Sequence, residues 1–205
     1  IETEPRVDGS LLCSLQFDAQ LPAERMIAEG EQVDRVCQAA LEQARLLQAS
    51  ELYGIARRVY VMTLAYLNAR TQFGYPIGAN QALQHRMVDA YIGVLACGAL
   101  LADGYRQVER DPQSLPRMAA LVKSRVCERV TALCREAIQL HGAIGYTDEY
   151  DLGLYLKRAL HLASWLGSPR ALRARFLALH QESAQADALA TATPRAIQGG
   201  LPLSQ

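Results

Sequence analysis

The sequence lacks an excess of charge of either sign, since 21 lysine and arginine residues balance 21 aspartate and glutamate residues. A chain without a basic surplus lacks the attraction on which binding to nucleic acid or to an anionic membrane surface depends. It also lacks any stretch near the roughly 20 consecutive apolar residues of a membrane-spanning helix, and its first ten residues, IETEPRVDGS, do not resemble a signal peptide. We therefore expect a soluble, cytoplasmic protein with no nucleic-acid or membrane partner.

The cysteines are few enough to list and are irregularly placed, at positions 13, 37, 97, 127 and 134. The five cysteines form no Cys-x-x-Cys pair and follow no metal-ligand spacing, and an odd number cannot close a complete disulfide framework. Cys127 and Cys134 share a predicted helix face but lie too far apart for a disulfide, so we interpret them as small core residues. The cysteine pattern predicts a reducing compartment and no metal site.

What the sequence has in quantity is apolar residues, which make up 50% of its 205 residues and suffice for one substantial core. The short apolar segment LLCSLQF, residues 11–17, is typical of a strand that ends a β-domain, and we expect no hairpin partner for it in this chain. In the segment LPAERMI that follows, Pro22 favours a single helical turn.

Apolar residues at helical spacing then predict three long helices, over about 32–70, 80–110 and 117–141. Gly142 follows the third helix where a left-handed cap is favoured. Thr147 predicts the N-cap of a fourth helix over about 148–165, and Ser168 with Pro169 predicts the start of a fifth that ends near Glu182. Because the connections are short, we expect an all-α fold, an antiparallel helical bundle with a short N-terminal strand remnant.

These elements divide the chain into three predicted parts. Residues 1–30 are the remnant of a β-domain and its linker, residues 31–184 form the helical bundle, and residues 185–205 form a flexible C-terminal tail without a periodic apolar face. The sequence begins without methionine, in a segment typical of the middle of a domain, so we expect it to be a piece of a longer protein.

Two loops hold the candidate functional residues. RTQFGYPIGANQ, residues 70–81, places Arg70, Phe73 and Gln81 between two helices, where the free amides at the second helix's N-terminus favour an anion. AIQLHGAIGYTDEY, residues 137–150, places Gln139 and His141 before a Gly-x-x-Gly turn that lets backbone approach a ligand closely. A surface arginine in an ordinary helix hairpin and a hydrogen-bonded histidine at a helix end are the plainer interpretations.

Taken together, the two loops resemble a known family. The motif R-x-x-F-G-x-P-I followed by Q-x-L-Q-H, and I-Q-L-H-G-x-x-G-Y-T about sixty residues later, resemble the C-terminal domain of acyl-CoA dehydrogenases, with similarity from Leu15 to Leu179. The resemblance implies a helical domain, a β-domain and this bundle around FAD and an acyl-CoA thioester. The first domain and most of the second are absent from this sequence. It also implies α,β-dehydrogenation of acyl-CoA in fatty acid metabolism.

The resemblance further implies the residues of the site. Glu42 and Arg45 are the candidates for contact with the nucleotide end of the substrate, and a solvated surface ion pair is the alternative. Trp165 takes the family's aromatic position over the active site. Ala143 replaces the usual second glycine of its loop. The contacts with FAD, a cofactor that the family shares across a dimer interface, fall on Arg70, Gln72, Phe73, Gln81, Gln139, Leu140, Gly142, Ala143 and Ser168.

The glutamate that serves as the family's base is absent from both of its usual positions, which hold Leu166 and Ala44 in this chain. Neither side chain can accept the α-proton of the thioester, so the catalytic residue is unknown. One interpretation is a base-free subunit that completes FAD sites while a paralogous chain supplies the glutamate. The other is an active homo-oligomer whose base is one of three acidic residues after the second loop, Asp148, Glu149 and Asp151.

The resemblance also implies partners. They are an acyl-CoA substrate, an electron-transfer flavoprotein, and either further copies of the chain in a homodimer or tetramer or a paralogous subunit in a heteromer. Two other function classes compete with the dehydrogenase. One is a flavin monooxygenase or oxidase on the same scaffold, and the other is a non-enzymatic bundle that only builds a subunit interface.

Overall fold

The computed structural model describes the backbone of residues 1–192 and the side chains of residues 1–185. It opens with a β-hairpin in which β1, Glu2–Pro5, pairs antiparallel with β2, Leu11–Ser14. Gly9 takes a φ of 81° in the turn, and the Arg6 N–H donates to the Ser10 carbonyl at 2.8 Å. The prediction that the apolar strand has no hairpin partner was therefore wrong. The sequence of β1, ETEP, has no apolar alternation and contains a proline, so it carries no pattern typical of a strand.

Five α-helices follow within the described residues. They are α1 (Glu31–Ala69), α2 (Gln81–Arg110), α3 (Leu115–His141), α4 (Leu152–Ser164) and α5 (Pro169–Ala192). Short 3-10 segments at Ala23–Arg25, Ile77–Ala79, Pro112–Ser114 and Gly142–Tyr146 lie between them. The all-α prediction and the three long helices are confirmed, with each predicted end within two residues of the observed one.

The core lies around α3, which packs against each of the other four helices. Its predicted apolar stripe, from Met118 to Leu140, is buried throughout. The predicted stripe of α1 is buried only in the second half of that helix. In the first half Val36 and Leu47 are 63% and 64% exposed, because no other element of the described chain covers them.

The chain between α3 and α4 differs from the prediction. Gly142 ends α3 with φ 65° and ψ −140°, a conformation that favours glycine but is not the left-handed helical one, so the prediction of a left-handed cap was wrong. In addition, α4 begins at Leu152 and not at residue 148, so the prediction that Thr147 caps this helix was wrong. The Thr147 hydroxyl donates back to the Ile144 carbonyl at 2.9 Å, so it closes the preceding 3-10 turn and does not start a new helix.

The start of α5 agrees with the prediction, and its end does not. The Ala171 N–H donates to the Ser168 hydroxyl at 3.3 Å, which confirms Ser168 as the N-cap before Pro169. The helix runs to Ala192, ten residues past the predicted end at Glu182. The remainder of the predicted tail, residues 193–205, lies outside the described residues.

The turn of the hairpin docks on the bundle through charged side chains. Arg158 of α4 lies 2.8 Å from Asp8 and 2.6 Å from Glu51 of α1. Because Asp8 accepts hydrogen bonds from Arg158 and from Ser10, the pKa of its carboxyl is held well below the ordinary value. Arg6 approaches the Nδ1 of His161 at 3.4 Å. The hairpin is thus fixed against the middle of α1 and the C-terminal half of α4.

The helix α2 combines length with an apolar outer face. By length and composition alone it could cross a membrane, with a mean hydropathy of 1.5 in its most apolar window, of which 28% is buried. That property is weak evidence for a membrane span, since core helices of water-soluble proteins share it. Its exposed large apolar residues include Val88, Tyr91, Ile92 and Leu95.

Candidate active site

The two candidate loops meet at one end of the bundle. The Tyr66 hydroxyl near the end of α1 donates to the His141 carbonyl at the end of α3, at 3.1 Å, and the two rings stack with centroids 4.3 Å apart. Beneath them Leu67, Met87 and Leu140 form a small buried cluster that joins α1, α2 and α3. The structure therefore brings residues 70–81 and 139–143 together, as a shared ligand site requires.

The first loop contains a strained turn near its start. Two-residue strands, Thr71–Gln72 and Tyr75–Pro76, pair on either side of Phe73 and Gly74, whose φ values are 53° and 90°. Two consecutive left-handed residues in a hairpin turn of this length strongly favour glycine, asparagine or aspartate. Phe73 instead carries a large apolar side chain that is 93% exposed. A strained, exposed aromatic residue is the kind of outlier that indicates contact with another molecule.

Most of the predicted cofactor residues lie on the surface around this turn. Leu140 is the exception, because its side chain is 7% exposed and packs into the small cluster below. Ser168 lies at the other end of the bundle and is also exposed. The residues that are exposed at the loop end are Arg70, Gln72, Phe73, Gln81, Gln139, Gly142 and Ala143.

His141 is a buried histidine in which only one ring nitrogen has a hydrogen-bond partner within the described residues. Its Nδ1 lies 2.7 Å from the Ala137 carbonyl, which fixes Nδ1 as the protonated nitrogen of the neutral ring. Burial lowers the pKa of His141, so the neutral form is favoured. Its Nε2 is buried and has no hydrogen-bond partner within the described part of the chain. An acceptor in this position can receive a hydrogen bond from a group that the bundle alone does not supply.

A second group of predicted residues lies at the opposite end, about 36 Å away along α1 by its helical rise. Glu42 is 1% exposed and pairs with two guanidinium groups, that of Arg45 at 2.7 Å and that of Arg175 from α5. The alternative of a solvated surface pair does not hold for Glu42. Because both of its oxygens face guanidinium groups, Glu42 acts as the centre of a buried ion cluster.

The turn that connects α4 to α5 is held by two cations. Arg45 Nε donates to the Leu166 carbonyl at 2.8 Å, and the Lys123 ammonium donates to the Trp165 carbonyl. Leu166 has a φ of 58° and Gly167 has a φ of 114°. The left-handed conformation costs a leucine on the order of 1 kcal/mol. Trp165 is 46% exposed, and its ring lies 5.3 Å from that of His161.

The three acidic residues proposed as a substitute base lie at the opposite end of α4 from the Trp165–Leu166–Gly167 turn. Asp148, Glu149 and Asp151 are exposed and precede α4, whereas Leu166 follows it. The 13 residues of α4 separate the two ends by about 20 Å. The prediction that one of them acts as the base would therefore need a second chain to bring it to residue 166.

Sequence reasoning missed Lys123, Arg175 and Tyr66. A signal for Lys123 was present, since it falls on the otherwise apolar stripe Ala119, Lys123, Cys127, Val130 and Cys134, all of which are buried. A charge on a buried stripe implies a specific partner. Arg175 and Tyr66 gave no comparable signal, because their partners lie 133 and 75 residues away in the sequence.

Comparison with known proteins agrees with this architecture and defines the class, a helical domain of flavoprotein oxidoreductases. Residues 35–178 match the family model of the acyl-CoA dehydrogenase C-terminal domain. Over 133 residues the chain is 42% identical to the acyl-CoA dehydrogenase IpdE2 of Mycolicibacterium smegmatis, covering 65% of this chain and 41% of that protein. The chain belongs to the acyl-CoA dehydrogenase family.

Two further comparisons extend the range of the similarity. The mitochondrial isovaleryl-CoA dehydrogenase of Solanum tuberosum is 30% identical over 152 residues, which cover 74% of this chain and 37% of that protein. The butyryl-CoA dehydrogenase of Megasphaera elsdenii has the same fold, with a TM-score of 0.77 at 20% identity over 88% of this chain and 48% of that structure. The chain spans about two fifths of the length of these curated relatives.

Proposed function

We propose that the protein to which this chain belongs is an FAD-dependent acyl-CoA dehydrogenase, which removes hydrogen from the α and β carbons of an acyl-CoA thioester. The observation that carries the proposal is the exposed, left-handed Phe73 turn beside the loop of residues 139–143. The fold alone does not specify an activity, because helical bundles host many unrelated sites. Family membership and the strained Phe73 turn together support a cofactor site.

The residues present fit an FAD molecule at the loop end. The exposed guanidinium of Arg70 and the free amides at the N-terminus of α2, which begins at Gln81, suit the negative charge of a pyrophosphate. The Phe73 ring offers an apolar surface, and the unpaired Nε2 of His141 offers a buried acceptor. When bound, FAD supplies the hydride acceptor of the reaction.

A second candidate function is a subunit that completes FAD sites while a paralogous chain supplies the base. It is favoured by the lack of a free carboxylate at the α4–α5 turn within the described residues. Leu166 and Ala44 occupy the usual base positions, and Glu42 is already paired with two arginines. Both oxygens of Glu42 already face a guanidinium group, so neither is free to contact a substrate.

An assembly of several chains is part of the proposal. The apolar outer face of α2 and the uncovered first half of α1 give the bundle surfaces that further chains or domains can bury. We propose a homodimer or tetramer, or a heteromer with a paralogous subunit. An electron-transfer flavoprotein would serve as the electron acceptor, and fatty acid metabolism in the cytoplasm would be the setting.

The test is flavin reduction in the full-length protein under anaerobic conditions. A panel of acyl-CoA thioesters is added to the protein alone and to the protein mixed with a paralogous subunit, and the flavin absorbance is followed. A dehydrogenase bleaches with at least one thioester and reoxidises slowly in air. Rapid reoxidation by oxygen indicates an oxidase or monooxygenase, and bleaching only in the mixture indicates the second candidate. A protein that purifies without flavin and binds none contradicts all three.

A further inference from the structure

The chain contains only two lysines, and they lie in opposite environments. Lys157 on α4 is exposed, whereas Lys123 on α3 is fully buried, with an exposed fraction of 0%. The Lys123 ammonium donates to the Trp165 carbonyl. Within the described residues no carboxylate lies within ion-pair distance of this ammonium. The carboxylate of Glu42 pairs instead with Arg45 and Arg175.

Burying an ammonium group without a counter-ion is costly, so its one hydrogen bond identifies what the charge stabilises. Burial lowers the pKa of Lys123 to about 8, which still leaves the amine mostly protonated at neutral pH. Its acceptor is the carbonyl directly before Leu166, the residue in the left-handed conformation. The carbonyl of Leu166 itself receives the Nε–H of Arg45 at 2.8 Å.

Two cations from two different helices therefore hold two successive carbonyls of one turn. Arg45 comes from α1 and Lys123 from α3, so hydrogen bonds anchor the turn to both of these long core helices. A leucine with a positive φ needs such support, because its free backbone favours the right-handed and extended regions. Gly167 could adopt its own φ without help.

We propose that Lys123 is a positioning residue that, with Arg45, fixes the left-handed backbone of the Trp165–Leu166–Gly167 turn. What this turn does rests on the proposed function, in which residue 166 occupies the family's usual base position beside the thioester. On this view Lys123 and Arg45 still support the backbone of the turn, although leucine replaces the family's glutamate at position 166. Lys123 acts through the turn and does not itself touch the reacting atoms.

The test uses the full-length, flavin-loaded protein and three substitutions. Lys123→Met removes the ammonium and keeps an unbranched side chain, and Lys157→Met is the matched control at the exposed lysine. Leu166→Gly removes the need for support, because glycine takes a positive φ without strain. Amide hydrogen exchange at residues 165–168 reports on the turn, and exchange at residues 137–146 reports on the other end of the bundle.

Lys123→Met is expected to raise exchange at residues 165–168 by roughly ten-fold, the scale of one charge-assisted hydrogen bond, with no change at residues 137–146. The limiting rate of flavin reduction is expected to fall by a similar factor while acyl-CoA affinity and flavin content stay constant. Both effects are expected to shrink to within about two-fold in the Leu166→Gly background. Lys157→Met is expected to change neither.

The proposal is overturned if Lys123→Met leaves turn exchange within about two-fold of the wild type, or if its effect is equally large in the Leu166→Gly background. Lys123→Gln, which keeps a donor, is expected to fold and to give intermediate exchange. If neither Lys123→Met nor Lys123→Gln folds, Lys123 is a general structural residue and the proposal is also overturned. A wild type whose flavin no acyl-CoA reduces contradicts the proposed function, while the exchange measurement still decides the role of Lys123.

Discussion

The buried ammonium of Lys123 predicts an unusual rise of stability with pH. Burial lowers the pKa of this lysine from 10.5 to about 8, and the groups that face it are Arg45, Cys127 and the Trp165 carbonyl. As pH rises through 8 the folded state loses the proton, whereas the unfolded state keeps it until about 10.5. The unfolded state then binds more protons, so the free energy of unfolding increases with pH in this window.

The magnitude follows from the pKa difference. Between pH 7 and pH 9 this single group contributes roughly 1 kcal/mol of added stability, and the full shift would contribute about 3 kcal/mol by pH 10.5. Cys127 and Cys134 act in the opposite direction above pH 9, because burial raises the pKa of their thiols to about 11 and about 12. The comparison is therefore confined to pH 7–9 and made against Lys123→Met, which shares both cysteines.

The assay is urea unfolding of the full-length protein, followed by far-UV circular dichroism at closely spaced pH values. The difference in unfolding free energy between the wild type and Lys123→Met should grow in favour of the wild type from pH 7 to pH 9. The unfolding free energy of Lys157→Met should change with pH in the same way as that of the wild type, since Lys157 is exposed. Parallel profiles for the wild type and Lys123→Met would show that Lys123 titrates as an ordinary lysine and would refute the reasoning.

Three further predictions concern other parts of the chain. Asp8→Asn should raise hydrogen exchange in residues 1–14 at pH 7, and the wild type should lose this protection below about pH 4, because Arg158 holds the pKa of Asp8 below its ordinary value. Glu42→Gln should destabilise the fold by roughly 3 kcal/mol in urea unfolding, because it leaves two guanidinium groups without their carboxylate. Leu166→Glu should accelerate flavin reduction by acyl-CoA, without a second chain, by at least about 100-fold.

Each of these predictions has an outcome that contradicts it. Unchanged exchange in Asp8→Asn would mean that the hairpin docks without the Arg158 pair. An unchanged unfolding free energy in Glu42→Gln would mean that the buried ion cluster does not stabilise the fold. An unaltered rate of flavin reduction in Leu166→Glu would mean that the lack of a carboxylate at position 166 does not limit that rate.

The local patterns of the sequence were sufficient for the helices, because helical periodicity and capping act over a few residues. The apolar stripe of α3 and the Ser168 cap are examples, and both are present in the structure. The strand β1 could not be found in the same way, since Pro5 and two glutamates mask it and its stability comes from pairing with β2 and from docking on Arg158. Such contacts depend on the folded arrangement.

In the candidate site, too, local motifs could be predicted and long-range contacts could not. The loops around Phe73 and Gly142 were predicted from motif order, and the structure brings them together through Tyr66 and His141. The roles of their residues toward FAD remain predictions. The support of the α4–α5 turn by Lys123 could not be predicted, because a lysine donating to a carbonyl 42 residues away leaves no trace in local spacing.

The central claim, that the loop end of the bundle forms part of an FAD site, is tested most directly by an FAD titration of the deflavinated full-length protein and of its Phe73→Ala variant. Phe73 is 93% exposed, so its removal should leave the urea midpoint unchanged. The account predicts that the wild type binds FAD and that Phe73→Ala binds it at least about ten-fold more weakly, the loss expected for one aromatic contact at a cofactor. Equal affinities, or a wild type that binds no FAD, would contradict it.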